Sequence, residues 1–135
     1  MNENLQRLQQ GTHHDPFNWL GWHPLADGQW IMRVFMPAAE AIELGEFGPM
    51  SRIDGSDCFE LTLSCAEIPQ AHPPLRWQDK QSGHWHQGMS PYTFAPQLGD
   101  MDLHLLLEGR HHHAWTFLGA HLKSVDGIQG CLFSV

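Results

Sequence analysis

Basic residues are scarce in this sequence. Only seven of its 135 residues are Lys or Arg, against fifteen Asp or Glu, and the formal net charge is −8. The seven basic residues are also spread singly along the chain. Nucleic acids and anionic membranes are bound by clusters of Lys and Arg, because these ligands carry dense negative charge. The composition therefore predicts a protein that binds neither nucleic acid nor a membrane.

Long apolar runs and a secretion signal are lacking as well. No stretch approaches the roughly 20 apolar residues that span a bilayer as a helix. The first ten residues are mostly polar, unlike a signal peptide. The three cysteines, Cys58, Cys65 and Cys131, cannot all pair within one chain, and without a secretion signal they are expected to be reduced. We therefore expect a cytoplasmic protein.

The motifs of common enzyme classes are missing. The sequence has no hydrolase nucleophile elbow, P-loop, dinucleotide-binding fingerprint or Cys-x-x-Cys pair. A glycosidase needs two carboxylates that face each other across a cleft. The carboxylates considered lie instead on predicted turns or outer strand faces: Asp27, Asp54, Asp57, Glu60 and Glu67. We expect no catalytic residue and no cofactor in this chain.

Eleven histidines invite a test for a metal site. They include His13 and His14, which precede Asp15, and the run from His111 to His113. Adjacent residues point to opposite faces of a strand and diverge on a helix, so such runs seldom form a tetrahedral site. We predict no metal site. The histidines are expected to cap turns or lie on the surface, with His111–His113 in solvent.

Apolar residues are plentiful enough for a core. Hydrophobic residues make up 41% of the chain, with six Trp and seven Phe. Short runs rich in strand-forming residues recur about every eight to twelve positions between turn signals such as Asp27-Gly28. The predicted strands are Trp30–Met36, Ala41–Leu44, Met50–Ile53, Cys58–Leu63, Leu75–Trp77, His84–His86 and Tyr92–Phe94. This pattern predicts an all-β, immunoglobulin-like β-sandwich with short helical segments.

A short helical turn over Pro16–Leu20 is predicted near the start of the sandwich. Asp15 suits its N-cap, Pro16 its first position and Gly21 its C-terminal cap. We expect this turn to bury Phe17 and Leu20.

The first residues of the chain fit two structures. Leu5 and Leu8 fall on one side of a possible helix, but a frayed terminus fits the sequence equally well.

A second helix is predicted near residue 100. Asp100 suits its N-cap and Gly109 its left-handed C-terminal cap. Between them Leu103, Leu106 and Leu107 follow helical spacing and form one apolar face. We expect Leu103 and Leu106 to anchor this helix on the sandwich.

An internal repeat marks a second module. Leu20-Gly21-Trp22-His23 recurs with one change as Leu118-Gly119-Ala120-His121, and each copy precedes an Asp-Gly pair and an apolar strand. The sequence thus predicts two related modules in tandem, the second only begun. The expected organisation is a flexible N-terminus over 1–12, a β-sandwich over 13–97, a helical linker over 98–121, and the first strand of a truncated, carbohydrate-binding-type module over 122–135.

Two stretches resemble bacterial glycogen branching enzymes. Asp15-Pro16-Phe17, with Leu20-Gly21 and His23, resembles the opening of their amino-terminal domain. The ordered series within 91–121, which runs from Pro91-Tyr92 through Leu98-Gly99 and Glu108-Gly109 to His121, resembles the join between their first two modules. Ser90 departs from the family, which commonly has Asp before this Pro-Tyr pair.

The resemblance implies a role in glycogen biosynthesis. The intact enzyme would cut an α-1,4-glucan and transfer the segment to a 6-hydroxyl, forming an α-1,6 branch. The implied mechanism retains configuration through a carboxylate nucleophile in a barrel of about 250 residues, which does not fit in this chain. The chain is therefore expected to be a non-catalytic β-sandwich. Its implied partners are α-glucan, through the intact enzyme, and the downstream domains of the same protein.

Two alternative functions remain at this point: a glucan-binding module that acts alone, and a purely structural docking domain. Trp22, Trp77 and Trp85 lie near predicted turns, where their rings could stack on the apolar C–H faces of sugars. We name these three as candidate glucan-binding residues. Exposed Trp side chains would favour glucan binding, whereas buried ones would favour a structural role.

Overall fold

The computed structural model describes residues 2–135, which form two compact units. The first unit ends at Thr93 and the second begins at Phe94. The elements of the first unit are helix α1 (Glu3–Gln9) and strands β1 (Gly21–Leu25), β2 (Gln29–Phe35), β3 (Ala39–Leu44), β4 (Ser51–Arg52), β5 (Cys58–Ser64), β6 (Pro74–Asp79) and β7 (Trp85–Met89). The second unit has helix α2 (Asp100–Leu107) and strands β8 (Gly119–Val125) and β9 (Ile128–Ser134). Short 3-10 helices lie at Pro16–Asn18, Gly45–Phe47, Pro91–Thr93 and Ala114–Thr116.

Two antiparallel sheets form a sandwich in the first unit. Their strand orders are β1-β2-β5-β4 and β3-β6-β7. The core between them receives side chains from both sheets, namely Met32, Val34 and Phe59 from the first and Ile42, Leu44 and Leu75 from the second. Successive strand residues point to opposite faces, so each strand can give one face to this core. The predicted all-β sandwich class is confirmed.

Helix α1 covers the outer face of the four-stranded sheet. Leu5 and Leu8 are buried against Leu20 and Cys58. Cys58 pairs with Phe35 in the β2–β5 register, one position away from the pair Val34–Phe59 that faces the core. Burial raises the pKa of Cys58 to about 11, so its thiol stays protonated at neutral pH.

The structure has the helical alternative at the amino terminus, where we expected a flexible segment. Asn2 caps α1, because its side-chain oxygen accepts the N–H of Asn4 at 2.8 Å. An ion pair between Arg7 and Glu3 adds i, i+4 support on the helix surface. The sheet supplies the apolar surface that a short helix needs, since an isolated helix of seven residues is unstable in water.

Several local predictions are wrong. The Asp15 side chain makes no cap bond, and the Asn18 N–H donates instead to the Asp15 backbone carbonyl at 3.2 Å, which closes a single 3-10 turn. Leu20 is buried as expected, but Phe17 is exposed. The predicted strand Tyr92–Phe94 begins instead as a 3-10 helix. Its geometry is fixed by Ser90, whose hydroxyl accepts the Tyr92 N–H and whose carbonyl accepts the Thr93 hydroxyl.

The internal repeat has the same local structure in both units. His23 Nε2 lies 2.9 Å from the Leu20 carbonyl oxygen, and His121 Nε2 lies 2.8 Å from that of Leu118. Each copy continues as a β-hairpin, β1–β2 in one unit and β8–β9 in the other. The residues of both Asp-Gly turns have positive φ, the geometry that fits the twist of a tight hairpin. The second unit thus contains a hairpin where we expected one strand.

The repeat also extends upstream, beyond the sequence signal. Helices α1 and α2 end in the same Schellman motif, with Gly11 and Gly109 both at φ 68°. The Thr12 N–H donates to the Arg7 carbonyl at 2.8 Å, and the Arg110 N–H donates to the Leu105 carbonyl at 2.9 Å. The predicted left-handed cap at Gly109 is confirmed. The predicted Asp100 cap is wrong, because Gly99 occupies the N-cap position and makes no side-chain bond.

The leucines of the repeat differ in burial. Leu5 is 4% exposed, whereas Leu103, its counterpart in α2, is 44% exposed, and Leu107 is also exposed. The predicted burial of Leu103 is therefore wrong. In the first unit the leucines meet Cys58 of β5, but the sheet described for the second unit has only the strands β8 and β9. No helix in the part of the chain described here has the length and apolar character to cross a bilayer.

The first prediction uses this difference. Leu5→Ala should lower the free energy of unfolding by roughly 2–5 kcal/mol, because it leaves a cavity between α1 and the sheet. The matched change Leu103→Ala should cost under about 1 kcal/mol, because that side chain is already partly in water. Urea unfolding followed by circular dichroism measures both. Equal losses would contradict the placement of α1 on the sheet.

A second prediction concerns Gly21. Its φ is 84°, and a Cβ built there would overlap the carbonyl oxygen of Tyr92. Gly119 has nearly the same backbone, with φ 89°, but a Cβ there meets no atom within 4 Å. Gly119→Ala should therefore cost only the left-handed strain, on the order of 1 kcal/mol. Gly21→Ala should cost clearly more in the same urea experiment, and equal costs would show that the Tyr92 contact is absent.

Candidate functional site

The three candidate tryptophans do not share one surface. Trp22 lies on β1 opposite Met32, and Trp77 lies on β6 opposite Ile42. Both are partly buried and pack against the core of the sandwich. A Cβ at Gly88 would lie 3.3 Å from two atoms of the Trp77 ring, so the missing side chain at Gly88 makes room for this ring. Trp22 and Trp77 therefore contribute to packing.

Trp85 has a different environment. It lies on β7 opposite Gln78 and is 42% exposed. Because side chains alternate along a strand, Trp85 points to the outer face of the three-stranded sheet while Trp77 points to the core. The same face carries Arg76, which pairs in register with Gln87 on one side and Glu43 on the other.

We call the residues Glu43, Arg76, Gln78, Trp85 and Gln87 the outer-sheet patch. Arg76 connects its parts, because the guanidinium carbon lies 4.9 Å from the centre of the Trp85 ring. An Arg76 guanidinium nitrogen also lies 3.4 Å from a Glu43 carboxylate oxygen. The pairing brings opposite charges together beside an aromatic surface.

The patch ends at a well-defined turn between β6 and β7. Asp79 Oδ1 accepts the backbone N–H groups of Gln81 and Ser82, each at 2.8 Å. These hydrogen bonds lower the pKa of the Asp79 carboxyl, because they favour its charged form. The Gln78 amide donates to the Gly83 carbonyl at 3.2 Å and ties the turn to the patch. The turn thereby fixes the register that places Trp85 beside Gln78.

The sequence pointed to Trp85 but not to its neighbours. The neighbours were not identified because the predicted strand ends at His86, whereas β7 continues to Met89. With that length, alternation along β6 and β7 places Arg76, Gln78, Trp85 and Gln87 on one face, and Trp77 and His86 on the other.

Two of the carboxylates form ion pairs that stabilise the fold. Glu60 lies opposite Arg33 on β2, with Arg33 Nε 3.9 Å from its carboxylate, and Arg33 also stacks 3.6 Å over the Trp19 ring. Burial lowers the pKa of Arg33, and the Glu60 charge opposes this shift. Asp57 Oδ1 lies 3.2 Å from Lys80 and 3.4 Å from Arg52. These two carboxylates serve as counter-ions.

The two histidine runs have structural contacts. His13 Nδ1 accepts the Asp15 N–H, and His111 Nδ1 accepts the His113 N–H, both at 3.2 Å. His111 Nε2 lies 2.8 Å from Asp102, and its side chain is only 8% exposed. The prediction that His111 lies in solvent is therefore wrong, although His112 and His113 are exposed. Within residues 2–135, no three His, Cys, Asp or Glu side chains converge as metal ligands.

The sequence model of one protein family matches residues 1–92. Its description is "alpha-1,4-glucan branching enzyme GlgB, N-terminal domain". The chain belongs to this family. The matched range ends one residue before the end of the first compact unit at Thr93, so the family domain and the sandwich with α1 coincide.

Curated relatives carry the same name. A 1,4-alpha-glucan branching enzyme GlgB of Thiobacillus denitrificans is 55% identical over 131 residues, which cover 97% of this chain and 18% of the relative. Proteins with that name from Methylococcus capsulatus and Hydrogenovibrio crunogenus are 44% and 42% identical, over 99% and 98% of this chain. The chain spans 18% of the length of each. The similarity continues through the second unit, beyond the family domain.

A third prediction tests the ion pairs of Asp57. Desolvation alone would raise the pKa of this carboxyl, but hydrogen bonds from Gln9 and Lys80 and the charges of Lys80 and Arg52 together lower it below 3.8. A depressed pKa stabilises the folded state above the unfolded-state value, and this contribution is lost as the pH falls through the folded-state value.

Asp57→Asn should therefore destabilise the protein most at pH 7, and the difference from wild type should shrink below about pH 4. Urea unfolding between pH 7 and pH 3 gives the measurement. Asp54→Asn, a change at an exposed residue of the same turn, is the control. A wild-type-to-variant difference that stays constant over this pH range would contradict the prediction.

Proposed function

We propose that this chain is the amino-terminal, non-catalytic domain of a glycogen branching enzyme. The observation that carries the proposal is the family match over residues 1–92, together with relatives of that name, one of which is 55% identical over 97% of this chain. The chain spans 18% of such a relative, so the catalytic groups are assigned to the remaining part of such a protein.

In this proposal the whole protein transfers a segment of an α-1,4-glucan to a 6-hydroxyl of glycogen. A retaining transfer needs a carboxylate nucleophile and a second carboxylic acid as proton donor. The ion pairs of Asp57 and Glu60 with basic side chains support a structural role for these carboxylates. The domain contributes stability or substrate contact, and bond making and breaking occur elsewhere in the protein.

We also assign the protein to the cytoplasm. Its relatives named above are bacterial branching enzymes, and glycogen is an intracellular store. Cys58, Cys65 and Cys131 are free thiols, which suits a reducing compartment. The assigned partners are α-glucan and the other domains of the same protein.

The tryptophans help to distinguish the two roles considered for such a domain, a structural role and direct contact with glucan. The packing of Trp22 and Trp77 against the core favours a structural contribution. The exposure of Trp85 among polar side chains favours direct contact with glucan. Both roles fit one domain, because the core and the outer sheet face use different side chains.

The fourth prediction tests the proposed function in two arms. The 135-residue chain incubated with amylose should form no α-1,6 linkages, measured by proton NMR and iodine staining. In the second arm, this chain replaces the matching region of the Thiobacillus denitrificans relative, whose unmodified form is the positive control. The chimera should form branches. New branches from the chain alone, or a folded chimera without activity, would contradict the proposal.

A further inference from the structure

We propose that the outer-sheet patch binds a single α-glucan chain, with Trp85 as the surface on which one glucose ring stacks. The identity of the glucan rests on the proposed function, whereas the location of the site rests on the structure. The site consists of Trp85, Gln87, Gln78 and the ion pair of Arg76 with Glu43. Trp85 is accessible to a ligand, since 42% of its surface is exposed.

Trp85 is held in place before a ligand arrives. The Arg76 guanidinium lies over one face of the ring, so the glucose ring would stack on the other face, and Glu43 fixes Arg76 from the neighbouring strand. A side chain that is already ordered loses less conformational entropy on binding. An indole ring also combines a broad apolar surface with one N–H donor, which suits a sugar that has an apolar face and polar edges.

The surrounding groups match the chemistry of hydroxyl groups. An amide side chain both donates and accepts hydrogen bonds, as a sugar hydroxyl does. Gln87 is exposed on β7 two residues from Trp85, and Gln78 pairs with Trp85 across β6 and β7. The outer face of the three-stranded sheet presents these groups on neighbouring strands, where an extended ligand can contact several of them.

The charges of the patch favour a neutral ligand. Arg76 is compensated by Glu43 within the patch, so no unbalanced positive charge remains there to attract an anion. The chain as a whole carries a formal charge of −8, which repels polyanions. A neutral polyhydroxylated chain fits all three properties of the patch: it can stack on the Trp85 ring, it can form hydrogen bonds with the glutamine amides, and it carries no charge.

Trp115 is exposed in a different structural setting. It is 71% exposed, more than Trp85, but it lies in the 3-10 helix Ala114–Thr116 of the second unit. Its counterpart in the repeat is the exposed Phe17 of the first unit. Trp115 therefore serves as a matched control, an exposed tryptophan outside a polar strand face.

The fifth prediction compares these two tryptophans. In native gels that contain glycogen, and in calorimetric titration with maltoheptaose, the wild-type chain should bind. Trp85→Ala should weaken binding by at least about tenfold, because it removes the stacking surface. Trp115→Ala should change the affinity by less than about twofold, since no ligand contact is lost. Gln87→Ala should weaken binding by roughly threefold, through lost hydrogen bonds.

The variants share one folding control, the midpoint of urea unfolding. Gln87→Ala keeps the test decisive if Trp85→Ala does not fold. Absence of wild-type binding, or equal losses from the Trp85 and Trp115 changes, would overturn the proposed site. If the proposed site is overturned in this way but the chimera forms branches, the proposed function still stands. Binding that depends on Trp85 in a chain whose chimera is inactive would instead count against the proposed function alone.

Discussion

The pairing of β2 with β5 is the interaction on which the rest of the first unit depends. The two strands are in register over seven residue pairs, from Gln29–Ser64 to Phe35–Cys58. One face of this ladder supplies Val34 and Phe59 to the sandwich core, and the other supplies Phe35 and Cys58 to the contact with α1. A single ladder thus supports two apolar layers, and a shift of one residue would exchange them.

The internal repeat distinguishes the features that local sequence determines from those that tertiary contacts determine. Helix, Schellman motif, 3-10 turn and hairpin have the same form in both units, although Leu5 is buried and Leu103 is exposed. The local geometry therefore follows from local signals, such as the glycine after each helix and the Asp-Gly turns. Burial of Leu5 follows instead from the four-stranded sheet that α1 covers. Sequence similarity in a repeat predicts its backbone better than its packing.

The same distinction explains how far the sequence predicted the fold. The sequence predicts strands β2, β3 and β5 within two residues at each end, because a run of strand-forming residues indicates β2 and alternating apolar residues indicate β3 and β5. The sequence does not predict strand β1, since its first residue, Gly21, is interpreted as the C-terminal cap of the preceding helical turn. Trp85 was named as a candidate, but its exposure could not be separated from that of Trp77, because exposure depends on strand register and on which face the second sheet covers.

The central claim is that this branching-enzyme domain contacts glucan through the outer-sheet patch. Its most direct test is the NMR signal of the indole N–H groups in a ¹⁵N-labelled chain, one signal for each of the six tryptophans. During titration with maltoheptaose, the Trp85 signal should shift progressively, while those of Trp22 and Trp115 should stay in place. A Trp85 signal that stays fixed at saturating maltoheptaose, or a Trp115 shift of equal size, would contradict the claim.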